Sequence, residues 1–134
     1  YMNSIVATTN IDCTIFCEYC RFNPCVTPNF SVMDFSEIWA FDGLLISTNL
    51  SNTKIMIDSL NAAKKVFYVW DLEWIRNKKD FVENVKTYRS PKIDLITRSN
   101  DHSLAIKNYA NREPKMMVPQ FNLGVIINEY FKQS

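Results

Sequence analysis

Glycine is scarce in this chain, with two in 134 residues and never as a pair, so a cofactor site built on a glycine-rich segment is excluded. There is no excess of either charge: 15 lysines and arginines stand against 14 acids. That removes the electrostatic footprint of a nucleic-acid binder. No apolar run approaches the ~20 residues of a membrane-spanning helix, so no membrane partner is expected. The N-terminus lacks the basic start and apolar core of a secretory signal, and the expectation is a cytoplasmic protein with reduced thiols. Histidine occurs once, at position 102, so any Ser-His or Cys-His nucleophilic scheme depends on that one residue.

What is present is an ordinary globular composition, 47% apolar and 22% charged, in a chain long enough to bury one core. A single domain over residues 1–134 is expected. Four short runs, "GLLIST", "KKVFYVW", "IDLITR" and "KMMVP", are apolar on both faces, as central parallel strands covered by helices are. Between them lie helical stretches. "NTKIMIDSLNAAKK" follows the polar starters Ser51 and Asn52 and repeats Ile55, Ile57, Leu60 and Ala63. "KKDFVENVKTYR" carries Phe81, Val82, Val85 and Tyr88. "SNDHSLAIKNYANREP" opens with cap-type residues and ends before Pro114. "LGVIINEYFKQS" reads as a short closing helix. In the first 40 residues "NSIVATT" reads as a strand, "CTIFCEY" as a second, "RFNPCVTPNF" as loop and "MDFSEIW" as a short helix or turn. No internal repeat, linker or low-complexity segment is visible. Strands alternating with helices predict a three-layer α/β sandwich around a mainly parallel, Rossmann-like sheet of five or six strands.

Three constellations carry chemistry. The first, Cys13, Cys17 and Cys20, is spaced C-x-x-x-C-x-x-C with Tyr19 before the last cysteine. It resembles the motif of radical S-adenosylmethionine enzymes. The resemblance implies three thiolates on a 4Fe–4S cluster, with the fourth iron open to S-adenosylmethionine. Against it stand the missing glycines and the short chain. Zinc held by all four cysteines is a further alternative, although only one C-x-x-C knuckle is present. The preferred reading is a strand with no metal. An extended Cys13–Cys17 segment separates the two thiols by ~13 Å at ~3.3 Å per residue, too far to share an ion, and free cysteine is commonly buried.

The second constellation is "VWDLEW", at the carboxyl end of an expected strand, where open parallel sheets bind ligands. Asp71 and Glu73 could accept ligand hydroxyls, and Trp70 and Trp74 could stack on a sugar or base; two packed tryptophans and two solvated acids are the plainer alternative. The third is "TRSNDHS", also at a strand end and opening a helix. The helix start favours an anion, with Arg98 beside it and Ser99, Asp101 and His102 at the cleft mouth. Ordinary capping by Ser99 or Asn100 is the plainer alternative.

The segments "FDGLLISTNLSNTKIMIDSLNAAKKVFYVWDLEWI" and "IDLITRSNDHSLAIKNYANREPKMMVPQFNL" together resemble the amino-terminal half of GT-B glycosyltransferases over about residues 41–127, with "VFYVWDLEW" similar to phage-borne members. In that family a strand ending in a "vi(t)rS" pattern opens a helix, and the next ends at a "vpnG(v)D"-like turn; here they read "LITRS" and "MVPQFNL". The turn glycine, the glycine-rich first loop and the whole carboxyl-terminal half are absent. The resemblance implies a half-domain acting as a binding or accessory module of phage origin, in the host cytoplasm. Its nucleotide-sugar chemistry would need a second protein chain. Asp71, Glu73, Arg98, Ser99, Asp101 and His102 are then the ligand-facing candidates. The alternative is a structural or assembly protein that self-associates or docks a partner through Trp39, Phe41, Trp70 and Trp74.

Overall fold

The computed structural model describes residues 1–18, 23–62, 64–76 and 79–131. The chain divides into two compact units, Tyr1–Phe41 and Asp42–Ser134.

The smaller unit holds helix α1 (Met2–Thr9) and two parallel strands, β1 (Thr14–Cys17) and β2 (Ser31–Asp34), paired Thr14 to Ser31 through Cys17 to Asp34. A short 3-10 helix over Phe35–Ala40 follows, opened by Asp34, whose carboxylate accepts the Ser36 N–H at 2.9 Å. "CTIFCEY" thus contains the expected strand over Thr14–Cys17, and "MDFSEIW" contains the expected short helix. "NSIVATT" is helix rather than strand. Its β-branched residues do fit a strand better. In the helix, however, the Thr8 and Thr9 hydroxyls donate back to the carbonyls of Ser4 (2.9 Å) and Ile5 (2.7 Å), and Asn10 ends the segment in the left-handed conformation.

The larger unit is a four-stranded, wholly parallel sheet in the order β3 (Leu44–Ser47), β4 (Lys64–Val69), β5 (Asp94–Thr97), β6 (Met116–Met117). The crossovers are α2 (Leu50–Asp58), α3 (Phe81–Arg89) and α4 (Asn100–Ala110), and α5 (Leu123–Phe131) closes the unit. Because each strand lies beside its predecessor, right-handed crossovers put α2, α3 and α4 in one layer; α3 packs on both α2 and α4. Helix α5 covers the other face, where Ile126 and Tyr130 pack on Val66, Tyr68, Ile96 and Val118. Covered on both sides, Val66, Phe67, Tyr68 and Val69 have no exposed surface, as the unbroken apolar run required. The layers are those expected. The strands number six among the described residues, but in sheets of two and four rather than one of five or six: the N-terminal segment expected to add a strand is α1, and β1 and β2 pair with each other.

The helices bury faces other than the expected stripes. Helix α2 starts at its cap Asn49 and sinks Leu50, Thr53 and Met56, leaving Leu60 beyond its end 90% exposed; Ala63 lies outside the described residues. Helix α3 buries Asn84, Val85, Thr87 and Tyr88, and α4 buries Ile106 and Ala110. Two arginines bind α3 and α4 at their carboxyl ends. Arg89 donates to the carbonyls of Tyr109 and Ala110, both at 3.1 Å, and Arg112 to those of Tyr88 (3.2 Å), Ser90 and Ile93. Apart from that of Ile93, which lies just before β5, these are helix-end acceptors that have no intrahelical donor.

A repeat emerges that the sequence conceals. The β3–α2–β4 and β5–α4–β6 segments correspond at an offset of fifty positions in element order, N-cap and bond: Ser47 matches Thr97, Asn49 matches Ser99, Thr53 matches Ser103, and Met56 matches Ile106. In each copy the last strand residue shares a hydrogen bond of 2.6 Å with the hydroxyl in the following helix. Identical residues recur only at Leu45/Leu95, Ile46/Ile96, Asn61/Asn111 and Lys65/Lys115.

Candidate functional site

The carboxyl ends of β4, β5 and β6 converge on one rim. Val69 and Thr97 are register partners, so the next residues, Trp70 and Arg98, emerge side by side. Trp70 leaves the strand sharply, its N–H donating to the Tyr68 carbonyl at 2.9 Å. Trp70 remains 46% exposed, and the Arg98 guanidinium lies over its indole, 5.7 Å from the ring centroid, within reach of a cation–π attraction. Phe121 meets the same indole edge-on at 6.4 Å and Tyr68 at 4.7 Å.

Tyr68 holds this corner. Its hydroxyl donates to the Val118 carbonyl at 2.7 Å and accepts the Phe121 N–H at 2.9 Å. Burial pushes that hydroxyl up from its ordinary value, against the opposing pull of the Phe121 N–H and the Arg98 charge, so it stays a neutral donor. The turn it braces is strained: Gln120 (φ 57°) and Phe121 (φ 51°) are both left-handed without being glycine, at a cost of about 1–3 kcal/mol each. Such strain gathers where a chain is held for a purpose.

The residues named from sequence are divided rather than gathered into one cleft. Arg98 and Trp70 lie on the rim, on the α5 side. Asp71 pairs with Arg76 and accepts the Leu72 N–H at 2.9 Å. Glu73 turns to the helix layer, where its carboxylate accepts the Leu50 N–H at 2.6 Å and closes the positive end of α2. Ser99 caps α4, accepting the His102 N–H at 3.4 Å. Asp101 is exposed in the first turn of α4, and His102 is half-buried there, with no hydrogen-bond partner for Nδ1 among the described residues. Trp74 is 4% exposed and packs 4.4 Å from Tyr88, which makes it core. Burial, with the Glu73 and Asp71 carboxylates nearby, holds the Tyr88 hydroxyl far above its ordinary range. Trp39 is half-exposed in the smaller unit, and Phe41 packs edge-on against Phe16 at 5.4 Å.

Cys17 ends β1 and Cys13 lies one residue before that strand, its carbonyl accepting the Ser31 N–H at 3.1 Å. The segment between them is therefore extended, the geometry that keeps two thiols apart; Cys20 lies outside the described residues. Burial, aided by Asp12, pushes the Cys13 thiol up, away from the thiolate that metal binding needs. Among the described residues no group of three histidine, cysteine or acidic side chains is placed to hold a metal ion, and no helix is long and apolar enough to cross a membrane.

Tyr68 and Phe121 are the site residues that sequence reasoning missed. The only local signal was "PQFN", a strand-end turn with no glycine to make it. Set against protein-family models, curated proteins and solved structures, the chain matches none of them.

Proposed function

We propose that the larger unit is a glycosyltransferase-like half-domain working as a binding or accessory module, with a carbohydrate ligand seated on the rim at the carboxyl ends of its strands. The observation that carries this reading is the meeting of Trp70, Arg98 and Phe121 from three successive strand ends, with Trp70 left half-exposed. An indole face is a natural platform for a sugar ring. The GT-B resemblance adds to it: "LITRS" forms the strand, turn and capped helix that the pattern implied, with Thr97 ending β5 and Ser99 capping α4. The rim is an open surface on one domain, so sugar transfer would need a second chain to supply the donor half. In this reading the protein is phage-derived and works in the host cytoplasm, where an exposed thiol such as Cys25 stays reduced.

Calorimetric titration with a panel of mono- and disaccharides tests the proposal. Binding by the parent chain, lost in Trp70→Ala and kept in Trp39→Phe, is the expected result. Equal binding by parent and Trp70→Ala overturns it.

A second reading, a structural or assembly protein, draws on one specific feature. Ile75, Val82, Leu104 and Tyr109 expose most of their surface around α3 and α4, and Phe81 meets Tyr109 edge-on at 6.5 Å. Light scattering decides it: a strict monomer at high concentration removes self-assembly.

A further inference from the structure

Arg98 differs from the other described arginines in what holds it. Arg76 is paired with Asp71, Arg89 is bound to two carbonyls and Arg112 to three. Arg98 is exposed, and among the described residues no carboxylate pairs with it; it lies over the Trp70 ring. A guanidinium held over an aromatic ring by cation–π attraction spends none of its N–H donors on that contact. Those donors match the paired oxygens of a carboxylate or phosphate. Arg98 and Trp70 each follow directly on the register pair Val69–Thr97, so one ligand can lay a ring against the exposed part of Trp70 and present an oxyanion to Arg98. The matched corner of the repeat has Thr48 where this one has Arg98, so the scaffold itself does not require a cation at this position.

We infer that the rim selects an anionic sugar, a ring ligand bearing a phosphate or carboxylate group, with Arg98 as the residue that sets this specificity. The inference rests on the carbohydrate reading above and narrows it.

The test uses the whole chain carrying Trp39→Phe, so that indole emission reports Trp70 beside the buried Trp74. Glucose 6-phosphate, glucuronate, glucose and inorganic phosphate are titrated in turn. The expected result is an emission change with one or both anionic sugars at a Kd about tenfold or more below that of glucose. Arg98→Gln should weaken the anionic sugars by about tenfold or more and weaken glucose by clearly less, so that the preference for the anionic sugars collapses. Arg98→Lys, which keeps the charge but not the fork, should fall between. A response to glucose 6-phosphate alone assigns the oxyanion to phosphate, and to glucuronate alone to carboxylate. Equal affinity for glucose and the anionic sugars, or an unchanged Arg98→Gln variant, overturns the anion selection while leaving the carbohydrate site standing. Phosphate binding as tightly as glucose 6-phosphate overturns it too, since an adventitious ion only would be involved. If no sugar perturbs Trp70, the inference and the reading beneath it fall together.

Discussion

The corner from β3 into α2 and the corner from β5 into α4 are built alike and used differently. Both end a strand on a hydroxyl residue that is hydrogen-bonded to the next helix at 2.6 Å, and both cap that helix two residues later, with Asn49 and Ser99. The first corner is closed by the protein itself, with the Glu73 carboxylate seated on the Leu50 N–H. At the second, Arg98 stands open on the rim. Structure and candidate chemistry are thus separated by residue choice at matched positions, because buried hydroxyls and core residues fix the scaffold and the turn residues are free to vary.

The largest effects should come from the shared scaffold. Met56→Ala and Ile106→Ala empty equivalent, fully buried sites and should each cost about 2–5 kcal/mol in urea unfolding; a near-silent result at one of them would break the equivalence of the two copies. Next is Thr53→Val, which strands the buried Ser47 hydroxyl and removes a bond to the Asn49 carbonyl, for about 1–3 kcal/mol. Ser103→Ala at the matched, less buried position should cost less. Glu73→Ala should then cost about 1 kcal/mol and speed hydrogen exchange at the α2 start, whereas Arg98→Ala should stay within about 0.5 kcal/mol of the parent. A large loss of stability in Arg98→Ala would make that corner structural like its twin.

The smallest effect is one of pH. Burial, together with the hydrogen bond to Asp94 at 2.8 Å, holds the Tyr130 hydroxyl above its unfolded value, as burial does for Tyr88. A raised folded pKa contributes stability that is complete below about pH 10 and is lost as pH climbs past it. The urea midpoint should therefore be flat from neutrality to about pH 9 and fall beyond, and Tyr88→Phe should shallow that fall.

How far the sequence foretold this structure depends on the kind of signal each element carries. Strands β3 to β6 were legible because burial on both faces leaves an unbroken apolar run. Helix existence was legible too, but not helix faces: Ile55 and Leu104 look like core residues and are exposed, while Thr53 and Asn84 look like surface and are buried. Hydroxyls and amides that find internal partners reverse the simple apolar count. Helix α1 was lost because β-branched preference is easily overridden by tertiary contacts, here the buried Ile5 and the bonds of Asn3 to Thr27 and Asn29, which the segment itself does not announce. At the site, Trp70 and Arg98 could each be picked out from their place at strand ends, but their meeting depends on the β4–β5 register, which no single segment encodes. Phe121 was hidden because its left-handed turn lacks the expected glycine.

The strand order has a consequence for how the larger unit comes into being. Every strand pairs with the one made just before it, so no segment must wait for a distant partner or slip between two strands already joined. Pairing with the preceding strand keeps each crossover as short as a parallel sheet allows, although pairing across a helix remains non-local and slow beside that of a helical bundle. It also lets the unit add one strand and its covering helix at a time as the polypeptide emerges from the ribosome. Helix α5, which follows β6, then seals the exposed face of the sheet, and chains truncated before it should leave the Val66, Tyr68 and Ile96 face open to aggregation.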